Sequence, residues 1–278
     1  MVNQEPNSDN PLDKGGRTLL LENKNAIIYG AGGAIGGAVA RAFAGDGAKV
    51  FLAGRTLDPV QAVAREISST GGTAEAAQVD ALDEQAVEKH IGDVREKAGS
   101  IDILFNAIGM EDIQGTPLVD ISLDDFAHPI ITATRTQFLT ARAVARRMVE
   151  QGSGVIMSIT AEPTPAPNLG GFMAACSTIE GLWRSLACEL GPHGIRLVIL
   201  RSAGSPDSIG VQGVWKLHAG AAGIPLEQYQ ADSGNHTLLR RLPLLAEVAN
   251  AATLLASDRA SAMTGVLANV TCGALVDL

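Results

Sequence analysis

The sequence predicts an α/β fold: one doubly wound parallel sheet of about seven strands with helices on both faces. Three observations predict it. The stretch Ala26-Ile27-Ile28-Tyr29-Gly30-Ala31-Gly32-Gly33-Ala34-Ile35-Gly36-Gly37 is a short apolar run, a glycine and alanine turn, and the start of an alanine-rich helix. Short apolar runs then alternate with longer helical patterns along most of the chain, which implies parallel strands joined by right-handed crossovers. At 278 residues, nearly half of them apolar, the chain is long enough to bury one sizeable core.

The first strand ends at Tyr29, and the turn behind it has the chemistry of an anion cradle. Glycine lets backbone approach a ligand closely, and a helix N-terminus offers unpaired N–H groups to a pyrophosphate. The spacing is not Gly-x-Gly-x-x-Gly, because after Gly30 and Gly32 the third glycine falls on Ile35. What fits is Gly30, Ala34 and Gly36. The cofactor-binding positions of this turn are therefore Gly30, Gly32, Gly33, Ala34, Ile35 and Gly36; the alternative is a tight strand-to-helix turn without a ligand. The helix stops at Gly45-Asp46-Gly47, and Lys49 to Ala53 is a second buried strand. At its end, where a dinucleotide fold places the adenosine ribose, stands Arg55. A carboxylate there would accept from a 2′-hydroxyl, whereas a guanidinium forks onto a 2′-phosphate. No carboxylate occupies residues 53 to 57, so the cofactor expected is NADP(H) rather than NAD(H); a solvent-facing arginine is the plainer reading.

Pro59 to Ser69 reads as a helix and Thr73 to Val79 as the third strand, which brings Asp80 and Ala81 to the adenine edge. A helix over Glu84 to Lys97 leads to the fourth strand, Ile101 to Phe105, and to the turn Asn106-Ala107-Ile108-Gly109, of which Asn106, Ala107 and Gly109 are expected at the cofactor. Ser122-x-x-Asp125 starts a long helix to Gln151 in the manner of a capping box. Pro129 either kinks that helix or begins it. Val155 to Ile159 is the fifth strand. The loop from Thr160 to Pro167 leads into a helix over Gly171 to Leu190, ended by Gly191-Pro192. Ile195 to Leu200 is the sixth strand, Ala246 to Ala256 a late helix and Val266 to Val270 the last strand. Between Ser202 and Leu242 the periodicity is poor, with Trp215, His218 and Tyr229 scattered through it. This 202–242 stretch is expected to cover the substrate; a surface excursion with a mobile tip is the alternative. One domain, 21–278, follows a disordered polar tail, 1–20.

A formal charge of −9 and a pI near 5.0 exclude neither small-molecule chemistry nor a protein partner, but they argue against nucleic acid and anionic membrane. Cys176, Cys188 and Cys272 show no C-x-x-C spacing, so neither a disulfide framework nor a metal site is expected, and a reducing, cytoplasmic setting fits. The polar opening has no apolar core of a signal peptide, and no apolar run reaches the roughly 18 to 20 residues of a membrane span.

From about Leu21 to Leu278 the order of motifs resembles the short-chain dehydrogenase/reductase family, whose members have a single-domain Rossmann fold. That family's Thr-Gly-x3-Gly-x-Gly falls on Tyr29, Gly30, Ala34 and Gly36. Asp80 matches its adenine-contacting aspartate, and Asn106-Ala107-Ile108-Gly109 matches its Asn-Asn-Ala-Gly turn. Gly194-Ile195-Arg196 resembles the lead into its sixth strand, with Ala203-Gly204 where the family has Pro-Gly. Ser257-Asp258 and Thr264-Gly265 resemble its C-terminal signature. The departures lie in the catalytic set. The family's tyrosine and lysine fall on Phe172 and Cys176, its asparagine on Ala133, and its serine on Ala161, or on Thr160 if the loop is one residue shorter. The only tyrosines, Tyr29 and Tyr229, have no lysine four residues on.

In the family the lysine lowers the tyrosine's pKa and holds the nicotinamide ribose, and the phenol passes a proton to the developing alkoxide. Phe172 has no such proton. Cys176 is either a thiol acid or a buried small side chain, with no lysine or histidine close in sequence to activate it. Glu162 is the expected replacement acid and Thr160 the expected carbonyl contact; His218 and Tyr229 are further candidates, and Arg135 would meet an anionic substrate if it faces the cleft. The resemblance implies an atypical NADP(H)-dependent oxidoreductase acting on a small carbonyl, alcohol or enoyl substrate, with ketone reduction near background unless another donor stands in. A catalytically silent nucleotide-binding protein is the alternative. The resemblance also implies a homo-oligomer, a tetramer, paired through the two long helices, where Phe138, Leu139, Ala143, Val144, Leu182, Leu186 and Leu190 supply apolar surface.

Overall fold

The computed structural model describes residues 18–162 and 166–276. Most of the predicted tail and the stretch 163–165 of the proline-containing loop lie outside the described residues. Leu20, placed in the tail by the sequence reading, packs partly buried against the core. The elements run β1 (Asn25–Tyr29), α1 (Ala34–Gly45), β2 (Lys49–Gly54), α2 (Leu57–Ser69), β3 (Thr73–Gln78), α3 (Glu84–Ala98), β4 (Ile103–Asn106) and α4 (Leu123–Gln151). They continue with β5 (Gly154–Ala161), α5 (Phe172–Leu190), β6 (Ile195–Ser202), α6 (Ile209–Ala222), α7 (Leu226–Asn235), α8 (Leu245–Ala256) and β7 (Val266–Val270).

All seven strands pair in parallel in the order β3-β2-β1-β4-β5-β6-β7. Their near-continuous apolar runs are what a sheet covered on both faces requires. Alternation divides each run between two cores. Ala26, Ile28, Val50, Leu52, Ile103 and Phe105 meet α1, α2 and α8 on one face; Ile27, Phe51, Ala53, Leu104 and Ile156 meet α3, α4 and α5 on the other. The chain winds outward from β1 to β3, then returns to place β4 on the other side of β1. That reversal opens a crevice at the C-terminal ends of the strands.

Three features of the sequence reading sharpen in the structure. Strand β5 continues through Thr160 and Ala161, which pair with Arg201 and Ser202, so both belong to the sheet and not to the following loop. The 202–242 stretch is largely helical, as α6 and α7. Helix α4 starts after Ser122, whose Oγ accepts the Asp125 N–H at 3.1 Å, and runs through Pro129 rather than beginning there. Among the described residues no helix is long and apolar enough to cross a membrane.

The surface expected for subunit pairing is smaller than predicted. Leu139, Ala143 and Val144 are buried within the protomer. Phe138 stays exposed on α4 with the Arg142 guanidinium 5.0 Å from its ring centroid.

Candidate active site

The crevice encloses about 1170 Å³, and all six glycine-turn positions from Gly30 to Gly36 that the sequence assigned to a cofactor line it. Two glycines are there of necessity. Gly30 has φ +74°, and a Cβ on it would lie 2.3 Å from the Ala107 carbonyl oxygen; a Cβ on Gly36 would lie 2.3 Å from the oxygen of Gly30. Strand β1, the turn behind β4 and helix α1 can therefore meet only through bare backbone. Gly33 caps α1 without a side chain, and no acidic residue stands in the first turn, so the positive end of the helix faces the crevice unneutralised.

Arg55 lines the same crevice beyond β2 and forms an ion pair with Glu111, both side chains more than half exposed. The pair holds the Glu111 carboxyl below its ordinary value. Asp80 is exposed and closes its own turn, its Oδ1 accepting the Leu82 N–H at 2.9 Å, while Ala81 is buried. Neither is among the residues that line the crevice. Asn106 stands behind the crevice lining as well. Its side chain is fully buried, donating from Nδ2 to Thr140 Oγ1 at 2.8 Å and accepting the Ile108 N–H on Oδ1 at 3.2 Å. It shapes the turn, and Ala107 and Gly109 present that turn to the crevice.

The positions matched to the family's tyrosine and serine, Phe172 and Ala161, line the crevice. Those matched to its lysine and asparagine, Cys176 and Ala133, are buried at 1% and 3% exposure. Burial pushes the Cys176 thiol up to about 11, so it is a packed side chain and no nucleophile at neutral pH. Thr160 is turned away from the crevice: its hydroxyl donates to Glu180 Oε1 at 3.2 Å, and Arg201 forks onto the same carboxylate at 3.1 and 2.8 Å. Alternation along β5 causes this, since successive side chains leave opposite faces. Glu162 does line the crevice, its N–H bonded to the Ser202 carbonyl at 3.0 Å. Arg135 does not. It lies in a separate groove with Asp83, Glu84, Glu88 and Arg142, between α4 and the start of α3.

His218 and Tyr229 both line the crevice and stack, ring centroids 6.3 Å apart and planes 14° from parallel. Burial lowers the His218 imidazole and raises the Tyr229 phenol from their ordinary values. Two lining residues, Asp112 and Gln114, escaped the sequence reading. Gln114 Oε1 lies 2.8 Å from His218 Nε2, and its amide nitrogen donates to Asp112 Oδ2 at 2.6 Å. Burial raises the Asp112 carboxyl. The one signal in the sequence was a polar Glu-Asp-x-Gln following the turn after β4. Among the described residues no cluster of side chains suits a metal ion.

This fold and crevice define a doubly wound α/β protein with its cleft at the C-terminal ends of the strands. A family model described as "Enoyl-(Acyl carrier protein) reductase" matches residues 30–274, and the chain belongs to the short-chain dehydrogenase/reductase family. It is similar to "Uncharacterized oxidoreductase YxbG" of Bacillus subtilis (strain 168), 32% identical over 88% of each chain. It is also similar to 7alpha-hydroxysteroid dehydrogenase of Escherichia coli (strain K12), 30% identical over 98% of this chain and 99% of that one. Among solved structures, sorbitol-6-phosphate 2-dehydrogenase SrlD from Erwinia amylovora superposes with a TM-score of 0.85 at 27% identity, covering 90% of this chain and 99% of that one. Nucleotide cofactors of the NAD(P)(H) type and small-molecule substrates go with this family.

Proposed function

We propose that the protein is an NADP(H)-dependent oxidoreductase that acts on a small carbonyl, alcohol or enoyl compound, with a catalytic set that differs from the family's. The observation that carries the reading is the arrangement along the crevice: a glycine turn that packs backbone to backbone against the turn behind β4, an acid-free helix N-terminus, and a guanidinium beyond β2. The turn from Gly30 to Gly36 would hold the pyrophosphate, Arg55 the 2′-phosphate, and the turn from Asn106 to Gly109 the space behind the nicotinamide; Asp80, outside the crevice lining but near enough for its charge to act on Arg55, would with Ala81 meet the adenine edge. The bound nucleotide supplies the hydride. Exposed ion pairs contribute roughly 0 to 1 kcal/mol, so a phosphate dianion displaces Glu111 from Arg55 at little cost. The alcohol and polyol-phosphate dehydrogenases among the similar proteins support a small hydroxylated or carbonyl substrate.

Calorimetry with NADPH and NADH tests the assignment. NADPH binds the wild type more tightly, and Arg55→Ala removes that preference at a loss of roughly 1.5 to 3 kcal/mol, the value of a hydrogen bond to a charged group. Equal affinities for the two nucleotides in the wild type would remove Arg55 from this role. A second reading, a nucleotide-binding protein without turnover, draws on Phe172 and on the inert Cys176 thiol. We further place the protein in the cytoplasm, on its three free thiols, and assign it a homotetramer through α4 and α5. A monomer by light scattering would defeat that assembly.

A further inference from the structure

Proton transfer to a substrate oxygen needs a titratable group in the crevice, and most of those that line it are committed elsewhere. Arg41 is bound to Glu66 and Arg55 to Glu111. Asp207 receives the Leu245 N–H on both carboxylate oxygens, at 3.1 and 3.2 Å. Burial moves the Tyr229 phenol further from neutral pH, the wrong direction for an acid that must also return as a base. His218 is held neutral by burial and directs Nε2 to Gln114.

One orientation of the Gln114 amide satisfies both of its contacts. Its oxygen accepts from His218 Nε2–H, and its nitrogen donates to Asp112 Oδ2. The imidazole proton is thereby assigned to Nε2, and Oδ2 is an acceptor. A proton on Asp112 must then sit on Oδ1. The carboxyl shares the crevice with Ala161 and Phe172, and after burial, the main cause, its charge is among those that raise the Cys176 thiol.

Resting on the oxidoreductase reading above, we propose that Asp112 exchanges the proton with the substrate oxygen, the task of the family's tyrosine, and that Gln114 positions it. In reduction the carbonyl carbon receives a hydride from the reduced nicotinamide nucleotide and the C=O π pair moves to oxygen. Asp112 Oδ1–H releases its proton to that oxygen. The products are the alcohol, the oxidised nucleotide and the Asp112 carboxylate, which takes a new proton from water. In oxidation the carboxylate accepts the alcohol's hydroxyl proton while the hydride returns. Gln114 transfers nothing, since an amide exchanges no proton readily; it holds Oδ2 in place.

Burial raises the Asp112 carboxyl, opposed only by the bonds from Gln114 and its own backbone. Besides Arg41, Arg55 and Asp207, the titratable groups that share the crevice with it are Glu162 after β5, His218 on α6 and Tyr229 on α7, and Cys176 on α5 feels its charge, as it does those of Glu180 and Arg201. None of these charges sets the shift. Reduction therefore falls as pH rises through the Asp112 pKa, because the donor is lost, and oxidation rises over the same interval.

The test pairs NADPH calorimetry with NADPH oxidation against a panel of carbonyl and enoyl compounds over a range of pH. Asp112→Asn lowers kcat about 100-fold or more, the usual contribution of general acid catalysis, keeps NADPH affinity, and abolishes the alkaline fall. Asp112→Glu restores part of the rate. Gln114→Ala shifts the alkaline fall and lowers kcat with KM little changed. The proposal is overturned if Asp112→Asn keeps the wild-type rate and profile, or if the loss appears instead in Glu162→Gln or Tyr229→Phe. A wild type that binds NADPH but turns over nothing in the panel also overturns it. Failure to bind NADPH would instead remove the oxidoreductase reading beneath it.

Discussion

Acid should unfold this protein through a buried pair beside the cradle. Tyr29, the residue before Gly30, turns its side chain to the α3 face, where its hydroxyl lies 3.0 Å from His90 Nδ1 and the rings meet edge to face at 5.5 Å. Both residues are buried, at 1% and 8% exposure. Burial raises the phenol above its ordinary value and pushes the imidazole from 6.5 down to about 4. We assign the phenol as donor to Nδ1, with the ring proton on Nε2. In the unfolded chain His90 takes up a proton near pH 6.5, but in the fold only near 4. Between those values the unfolded state binds more protons, so stability rises with pH. The contribution is complete above 6.5 and is lost as pH falls toward 4. A displacement of about 2.5 pH units corresponds to about 3 kcal/mol, a sizeable part of a stability of about 5 to 15 kcal/mol. Urea unfolding at a series of pH values measures it, comparing the wild type with Tyr29→Phe/His90→Leu, which removes the titrating ring without orphaning the phenol. The double variant should lose about 3 kcal/mol less than the wild type between neutral pH and 4. Parallel losses in the two proteins would refute the assignment.

Gly36→Ala places a Cβ 2.3 Å from the Gly30 oxygen, so α1 must move off the turn; NADPH affinity by calorimetry should fall tenfold or more, about 1.4 kcal/mol, and an unchanged affinity would separate the turn from the cofactor. Glu180→Gln leaves the Arg201 guanidinium, 12% exposed, without its anion; urea unfolding should show a loss of about 3 to 5 kcal/mol, whereas a loss under about 1 would mean water reaches the pair. Phe172→Tyr with Cys176→Lys should raise ketone reduction and lower Tm together, because the new ammonium enters a site 1% exposed; no gain in rate would show that these positions do not meet the substrate.

The sheet was legible because strands buried on both faces must be apolar throughout, and that signal survives in Ala26–Tyr29, Lys49–Ala53 and Ile195–Leu200. Strand ends were less so. Thr160, Arg201 and Ser202 look like loop residues in isolation, and only pairing between β5 and β6 keeps them extended. Helix α6 was missed because its buried stripe is no more than Trp215, His218 and Ala219 among several glycines, too little for a periodicity to stand out. Pro59 marks a helix start in the sequence, and it sits in the first turn of α2, two residues after the helix begins, where its missing N–H costs nothing. In the site, Gly30 to Gly36 was readable as local chain chemistry. Side-chain direction was not: Asn106 and Thr160 turn inward, and Arg135 faces another groove. Nor does any local pattern announce that Gln114 reaches His218, 104 residues away.

Arg196 stands at the beginning of β6, the opposite edge of the sheet from the crevice. Its guanidinium gathers four carbonyl oxygens, of Leu255, Ala256, Ser257 and Met263, at 3.0 to 3.4 Å, and so ties off helix α8 and the approach to β7. A lysine has three donors on one atom and cannot span that fan of oxygens. The two rims of the molecule are thus held differently: the one behind the crevice closes through bare backbone at Gly30 and Gly36, the other through a single side chain that bonds four carbonyls. Loosening that one guanidinium would free the end of α8 and the approach to β7 together, at the rim farthest from the crevice.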